Sequence, residues 1–378
     1  MNRPMLIGYD AKRIVCNGTG LGSYGRTLVN DIAADKHIHL HLYAPDRGRD
    51  DLRGQIRLAD NVDFHFMTPS RMPFSRAFWR SRGIVGDLRR DGIQLYHGLS
   101  GELPIGIHRS GIRSIVTIHD LIFLRHPEFY HWADAKIYAW KFQQALREAD
   151  HIIAISNCTK RDIVELGEID ERDVTVVYQS CAPRFSRHDC DGHNRLSVLP
   201  QAGRYVLSVG SIEARKNILL AVKALHWLPD DLSLVLVGRH TSYCDQVAEY
   251  AKAHGLAHRL HILHGVTDGQ LPSLYAHAEA FVYPSVYEGF GIPVIEAISC
   301  GLPVVACKGS CLEEAGGPDS LYVDTSDAQG LAHALRCSLK GAEGREQRIS
   351  RSQHYIRRFQ GSSVAGQVVQ LYQEILKR

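Results

Sequence analysis

The stretch Pro284-Ser-Val-Tyr-Glu-Gly-Phe-Gly-Ile-Pro-Val-Ile-Glu-Ala-Ile-Ser-Cys-Gly-Leu-Pro-Val-Val305 decides how the rest of the chain is read. An apolar run at 278–283 precedes it and reads as a short buried strand. Gly289 and Gly291 bracket Phe290, and Pro293 stands where a helix would begin. Proline is favoured at the first helical position and glycine just past the last, which puts the stop at Gly301. Glu288 therefore falls in a loop and Glu296 about one turn into a helix. The glycines between them let backbone N–H groups approach a ligand at a helix N-terminus, a place suited to anions and sugar hydroxyls. Two carboxylates flank it, and carboxylates accept hydrogen bonds from vicinal hydroxyls. Taken alone, Glu-Gly-Phe-Gly reads equally as a strand–turn–helix junction with two solvated glutamates.

Outward from this stretch, short apolar runs alternate with longer helical patterns. Strands are expected at 6–9, 39–43, 62–66, 95–97, 114–118, 151–155 and 175–177, then at 205–209, 232–237, 260–262, 280–283 and 304–306. Such alternation argues for an α/β fold with parallel sheets covered by helices on both faces. Sheets of this kind bind ligands outside the carboxyl ends of their strands, where the motifs below fall. A chain of 378 residues suits two domains, each able to bury its own core. The expected division is a first domain at 1–185, a polar linker without periodicity at 186–203, a second domain at 204–358 and a C-terminal segment at 359–378.

Apolar content of 44% and charged content of 22% describe a globular chain. A net charge of +3 is too small to suggest nucleic acid as partner. No apolar run is long enough for a membrane-spanning helix, and the first strand begins too early to leave room for a signal peptide. The nine cysteines are scattered without a C-x-x-C pair, which reads as reduced cytosolic thiols. The expected location is cytoplasmic, extending to the inner face of a membrane. That extension comes from residues 73–91, expected to form a basic amphipathic helix. Phe74, Phe78, Val85 and Leu88 fall near one face, with Arg76, Arg80, Arg82, Arg89 and Arg90 over much of the rest. One reading is a surface helix with a core stripe; the other is a patch docking on an anionic membrane.

Gly20, Gly22 and Gly25 spell G-x-G-x-x-G after the first strand, in an expected loop ahead of a helix. A dinucleotide-binding dehydrogenase would show the same letters, with an acidic residue such as Asp46 farther on. Its turn, however, follows the strand tightly, whereas here a long stretch separates Tyr9 from Gly20. Ile115-Val-Thr-Ile-His-Asp-Leu121 reads as a buried strand that delivers His119 to a carboxyl end, with Asp120 suited to cap the next turn. Ser156 reads as the N-cap of a helix at 158–166. In the second half, Gly210 follows a strand and precedes Arg215 and Lys216, which places two cations at a carboxyl end. They read either as a solvated basic pair or as groups fixed to meet developing negative charge.

Glu288 and Glu296 form a Glu-x7-Glu pair inside Ser-x-Tyr-Glu-Gly-Phe-Gly-x-Pro-x-x-Glu-Ala-x-x-Cys-Gly-x-Pro-Val-Val. This resembles the signature of retaining, nucleotide-sugar-dependent glycosyltransferases of the GT-B fold, in particular the family-four group. The resemblance implies two Rossmann-like domains with parallel sheets facing a central cleft, and a C-terminal helix at 363–376 that crosses back onto the first domain. It places the donor on the second domain and the acceptor on the first. Arg215 and Lys216, beside Gly210, correspond to a diphosphate clamp. Glu296 falls to the donor ribose. Glu288, with the backbone of Gly289, Phe290 and Gly291, falls to the donor sugar. Gly238 borders the nucleotide, and Val266 lies where backbone groups read the base. Gly20 and Leu21 match a glycine loop near the diphosphate and acceptor, and His119 lines the reacting centre.

The same resemblance implies a paired cation in place of a metal ion, so no metal and no cofactor are expected. The partners implied are a nucleotide sugar and a glycan or lipid-linked saccharide acceptor. Ile7-Gly-Tyr-Asp-Ala-Lys12 and the ten residues from His119 to Glu128 look most like bacterial mannosyltransferases of surface polysaccharide and lipopolysaccharide assembly. That favours GDP-mannose, with UDP-sugars close behind. Two departures stand out. Gln179-Ser-Cys-Ala-Pro183 occupies a place where relatives more often carry Asn-Gly-Val-Asp, and residues 310–314 lack the proline of a Ser-Leu-Pro-Glu loop. The rivals are a GT-B sugar-nucleotide 2-epimerase, a non-catalytic nucleotide-sugar-binding partner and, least favoured, a dehydrogenase.

Overall fold

The computed structural model of the chain describes residues 4–57, 59–68, 75–185 and 203–378. Residues 186–202 of the linker expected at 186–203, with Pro73 and Phe74 of the basic segment, lie outside them. Among the described residues thirteen strands form two sheets. The first comprises β1 (Met5–Asp10), β2 (Ile38–Ala44), β3 (Val62–Phe66), β4 (Leu95–Gly98), β5 (Arg113–Ile118), β6 (His151–Ala154) and β7 (Val174–Val176), in the order β3-β2-β1-β4-β5-β6-β7. The second comprises β8 (Arg204–Val209), β9 (Leu232–Val237), β10 (Leu260–Leu263), β11 (Ala280–Tyr283), β12 (Val304–Cys307) and β13 (Leu321–Val323), in the order β10-β9-β8-β11-β12-β13. Every pairing is parallel, with Ile7 opposite Leu40 and Val206 opposite Leu234. β13 has no counterpart among the expected strands; it is a three-residue, half-buried edge with little apolar signal.

Both faces of each sheet are covered, because successive residues of a strand point to opposite sides. In the first sheet Leu95, Ile115 and Ile153 belong to one apolar cluster, while their neighbours Tyr96, Val116 and Ile152 belong to another. The compact units run from 1 to 180 together with 359–378, and from 181 to 358. The helix Gly361–Lys377 packs Val364, Val368, Leu371 and Tyr372 into the first unit's core. Its Tyr372 hydroxyl lies 2.6 Å from the Tyr9 hydroxyl and 2.6 Å from Nδ1 of His97. His97 Nε2 lies 2.7 Å from Thr117 Oγ1, so buried polar groups of three strands close on that helix.

The glycine stretch corrects the sequence reading. Gly20, Gly22 and Gly25 are not in a loop; they lie in the helix Gly20–Ile32. A Cβ on Gly22 would stand 1.8 Å from the Asn17 carbonyl oxygen, and one on Gly25 would stand 2.8 Å from Ile14. These two glycines let that helix press against the short helix Lys12–Cys16. Nothing lies within 4 Å of a Cβ on Gly20.

The basic segment is also corrected. It is not one regular helix: Ser75–Phe78 and Ile84–Arg90 are joined through a π-helical turn, Trp79–Gly83. An inserted residue in such a turn rotates the following face. Phe78, expected in the apolar stripe, is 64% exposed, while Arg80, expected outward, is drawn inward to Asp10 and Glu102.

Candidate active site

The second unit brings three of the candidate residues into direct contact. Strand β8 ends at Val209, immediately before Gly210, and the turn Ala214–Lys216 follows. Strand β11 ends at Tyr283 and delivers the loop that carries Glu288. Lys216 Nζ lies 2.5 Å from Glu288 Oε1, and Arg215 Nη1 lies 2.9 Å from Glu288 Oε2. Arg215 Nη1 also donates to the Tyr287 carbonyl at 2.8 Å, and the Val286 N–H donates to the Arg215 carbonyl at 2.9 Å. The two loops are thus tied by backbone as well as by charge. Glu213 accepts from Arg215 Nη2 at 2.8 Å, so two cations face two carboxylates.

Burial sharpens this cluster. Lys216 and Glu288 are each 8% exposed. Burial disfavours the Glu288 charge, yet Lys216 and then Arg215 more than offset it and hold the carboxyl below the usual range. Burial also opposes the Lys216 charge, and Glu288 again wins, holding the ammonium above the ordinary lysine value. Tyr283 completes the shell: its hydroxyl is 2.6 Å from Lys216 Nζ, which also sits 4.8 Å from the ring centre. Nothing in the spacing of Arg215 and Lys216 announces this tyrosine, although it immediately precedes the Glu-x7-Glu stretch.

Gly291 turns the chain into the next helix at φ +107°, a conformation that favours glycine. The helix Ile292–Ser299 has Pro293 in its first turn and is followed by Gly301 at φ +81°. Glu296 stands in its second turn. It joins Tyr275 rather than the cation cluster, accepting from the tyrosine hydroxyl at 2.9 Å. Burial pushes the Glu296 carboxyl up to about 7, against the opposing pull of Tyr275. Phe290 is a core residue, 2% exposed, so only its backbone is placed to serve a ligand. Gly289 lies between it and Glu288, whose own carbonyl accepts from Cys311 Sγ at 3.1 Å. Gly238 and the loop of Val266 are joined through His264, whose Nδ1 donates to the Gly238 carbonyl at 2.7 Å.

The first unit holds His119, Gly20 and Leu21. His119 follows β5, and its Nε2 is 2.7 Å from the Leu99 carbonyl. A carbonyl only accepts, so that nitrogen carries the proton. Nδ1 then receives the amide N–H of Gln179 at 2.9 Å. Both ring nitrogens are engaged by the protein, and burial pushes the imidazole down to about 4. His119 is therefore a neutral, fixed ring here rather than a proton carrier. Gln179 was not among the candidate residues; its signal was the departure from Asn-Gly-Val-Asp. Gly20 and Leu21 open the helix Gly20–Ile32, with Gly20 exposed. Asp120 caps its turn, accepting from the Ile122 N–H at 3.2 Å, and Ser156 caps the helix Asn157–Gly167.

No group of three metal-ligating side chains occurs among the described residues. The chain does contain an Asp-x-Asp, Asp189-Cys190-Asp191, outside them. The expectation that no metal is needed therefore rests on the cation pair alone.

Residues 195–355 match the family model described as Glycosyl transferases group 1, and residues 18–180 match that of Glycosyltransferase Family 4. The chain is 30% identical over 286 residues to O-antigen chain mannosyltransferase B of Escherichia coli, covering 74% of each chain. It is 26% identical over 247 residues to O-antigen chain mannosyltransferase RfbU of Salmonella typhimurium, covering 65% of each. Among solved structures, sucrose-phosphate synthase from Thermosynechococcus elongatus matches with a TM-score of 0.77 at 20% identity over 99% of both chains, a likeness of fold.

Proposed function

The chain belongs to the group 1 glycosyl transferases, with two α/β domains of the GT-B fold, and from that premise we propose that it transfers mannose from GDP-mannose to a glycan or lipid-linked saccharide, retaining anomeric configuration. The observation that carries the reading is the buried contact of Lys216 and Arg215 with Glu288 at two adjoining strand ends. The choice of mannose rests on the two O-antigen relatives.

Two fixed cations suit a nucleoside diphosphate, whose β-phosphate gains charge as the glycosidic bond breaks. As a diphosphate takes up Lys216 and Arg215, Glu288 exchanges a cation partner for the hydroxyls of the donor sugar. Glu296 takes the ribose hydroxyls, and backbone groups near Gly238 and Val266 take the base. The C1–O bond to phosphate breaks with its electron pair passing to the β-phosphate oxygen. That oxygen accepts the proton of the acceptor hydroxyl, whose oxygen bonds to C1 on the same face. This front-face route needs no side-chain nucleophile and assigns no step to a metal. His119 serves it as a fixed neutral wall, and Gly20 and Leu21 as the open end of a helix near the diphosphate.

Contact with an anionic membrane belongs to the same reading, with Arg76, Phe78 and Arg82 exposed on the basic segment. Among the described residues no helix is long and apolar enough to cross a membrane. A panel of nucleotide sugars ranked by thermal shift, followed by assay of transfer, tests the donor: GDP-mannose should rank first. Glu288→Ala should fold and lose transfer by at least about 100-fold. A variant with full activity would remove Glu288 from the mechanism, and trapping a sugar ester on Glu288 would replace the front-face route.

A further inference from the structure

His119 is gripped from two sides by groups of unlike kind. Its Nε2 meets the Leu99 carbonyl at 2.7 Å, and its Nδ1 meets the side-chain amide nitrogen of Gln179 at 2.9 Å. A carbonyl only accepts, and an amide nitrogen only donates. One ring nitrogen therefore carries a proton and the other a lone pair, which is the neutral imidazole in a single tautomer. We propose that Gln179 is a positioning residue that keeps the His119 ring uncharged and in one orientation.

Both ends of this contact are anchored. Gln179 is 5% exposed and follows a segment fixed to its surroundings. The Val177 N–H donates to the Ala154 carbonyl at 2.9 Å, and the Tyr178 hydroxyl accepts from Asn157 Nδ2 at 2.8 Å. On the other side, the His119 carbonyl accepts from Thr159 Oγ1 at 3.3 Å. The Tyr24 ring meets the imidazole edge-on, with centroids 4.9 Å apart.

The alternative is an imidazolium with the Gln179 amide turned over, its oxygen accepting from Nδ1–H. The surroundings oppose it. The titratable groups about the ring are Tyr24 on the helix Gly20–Ile32, His97 on β4 and Asp120, next in the chain. Burial holds the Tyr24 hydroxyl protonated, pushed up to about 12, and His97 neutral, pushed down to about 3. Asp120 is engaged by the Ile122 N–H. Neither ring nitrogen of His119 has a carboxylate as its partner, so a cation there would lack a counter-charge. A glutamate of the same length as Gln179 would supply one.

The consequence for catalysis rests on the transferase reading, which seats His119 beside the reacting sugar. C1 gains positive charge as the diphosphate departs, and an uncharged ring does not oppose that change. Ring-nitrogen NMR of the full chain between about pH 5.5 and 8.5 reads the charge directly, with His119 signals identified by their absence in His119→Asn. Wild type should keep one neutral tautomer, protonated at Nε2, throughout. Gln179→Glu should bring a His119 titration into that interval. GDP release from GDP-mannose by this variant should then rise at least about tenfold as the ring loses its proton, a limb absent from the wild-type profile. Gln179→Met, with neither donor nor charge, should keep the ring neutral and lower GDP release at least about threefold at every pH. A wild-type His119 that titrates in this interval, a Gln179→Glu ring that stays neutral, or an active Gln179→Glu without the limb overturns the proposal. Where Gln179→Glu does not fold, Gln179→Met decides, and unchanged GDP release in it overturns the proposal. The spectra need no turnover: if they come out as stated while wild type releases GDP or UDP from no nucleotide sugar, the transferase reading fails and the hold of Gln179 on the ring stands.

Discussion

Two glycine-rich stretches, residues 17–25 of the first unit and 288–301 of the second, look alike as text and are put to opposite uses. In the second, the glycines shape a turn and a helix start, and Glu288 reaches across to a cation pair from another strand end. In the first, Gly22 and Gly25 vanish into a helix contact, and only Gly20 is left open. The second unit brings charged side chains together. In the first unit, near His119, hydrogen bonds leave a neutral ring. The same letter therefore means close packing in one place and backbone access in the other, and the neighbouring strand ends decide which.

The comparison breaks most easily at Lys216. Lys216→Ala should lower transfer by about 10²–10³. It also leaves Glu288 buried with one cation fewer, so stability should fall. The double change Lys216→Met with Glu288→Gln should recover much of that stability, because no unmatched charge remains, without recovering transfer. Chemical denaturation alongside turnover separates the two effects; recovery of both would make the cluster purely structural.

The next test lies in the first unit. Gly22→Ala forces a Cβ onto the Asn17 carbonyl and should cost about 2–4 kcal/mol of stability, read from the denaturation midpoint. Gly20→Ala, two residues earlier, should change stability by no more than about 0.5 kcal/mol. Equal effects would erase the distinction between packing glycine and open glycine.

Glu296 sharpens the contrast within the second unit. Its folded carboxyl titrates near 7, above the ordinary 4.5. Its stability contribution is thus fully present below the ordinary value and is lost as pH rises through about 7. Glu296→Gln should therefore be more stable than wild type at pH 8, by about 1–3 kcal/mol, with the gap closing by pH 5. Donor affinity should follow the opposite course in wild type, improving as the carboxylate forms. A flat difference between the two proteins across that interval would contradict the burial argument.

Much of the fold was legible because parallel strands buried on both faces are continuous apolar runs, as at Leu232–Val237 and Ala280–Tyr283. The edge strand Leu321–Val323 was not, since a half-buried edge of three residues carries little signal. The nearness of Arg215, Lys216 and Glu288 was legible from motifs placed at strand ends, but their ion pairs were not, and Tyr283 and Glu213 carried no separate mark. The inward turn of Arg80 was illegible, because helical periodicity assumes a regular helix and one π turn voids it. Gln179 looked like a loss against the family pattern; in the structure its amide is what fixes the His119 ring.

The preference for GDP over GMP, measured by calorimetric titration of wild type and of Lys216→Ala, tests the central claim most directly. If Lys216 and Arg215 hold the second phosphate, wild type should bind GDP at least about tenfold more tightly than GMP, a difference of about 1.4 kcal/mol. That preference should collapse in Lys216→Ala. An unchanged preference in the variant would show that the diphosphate is held elsewhere.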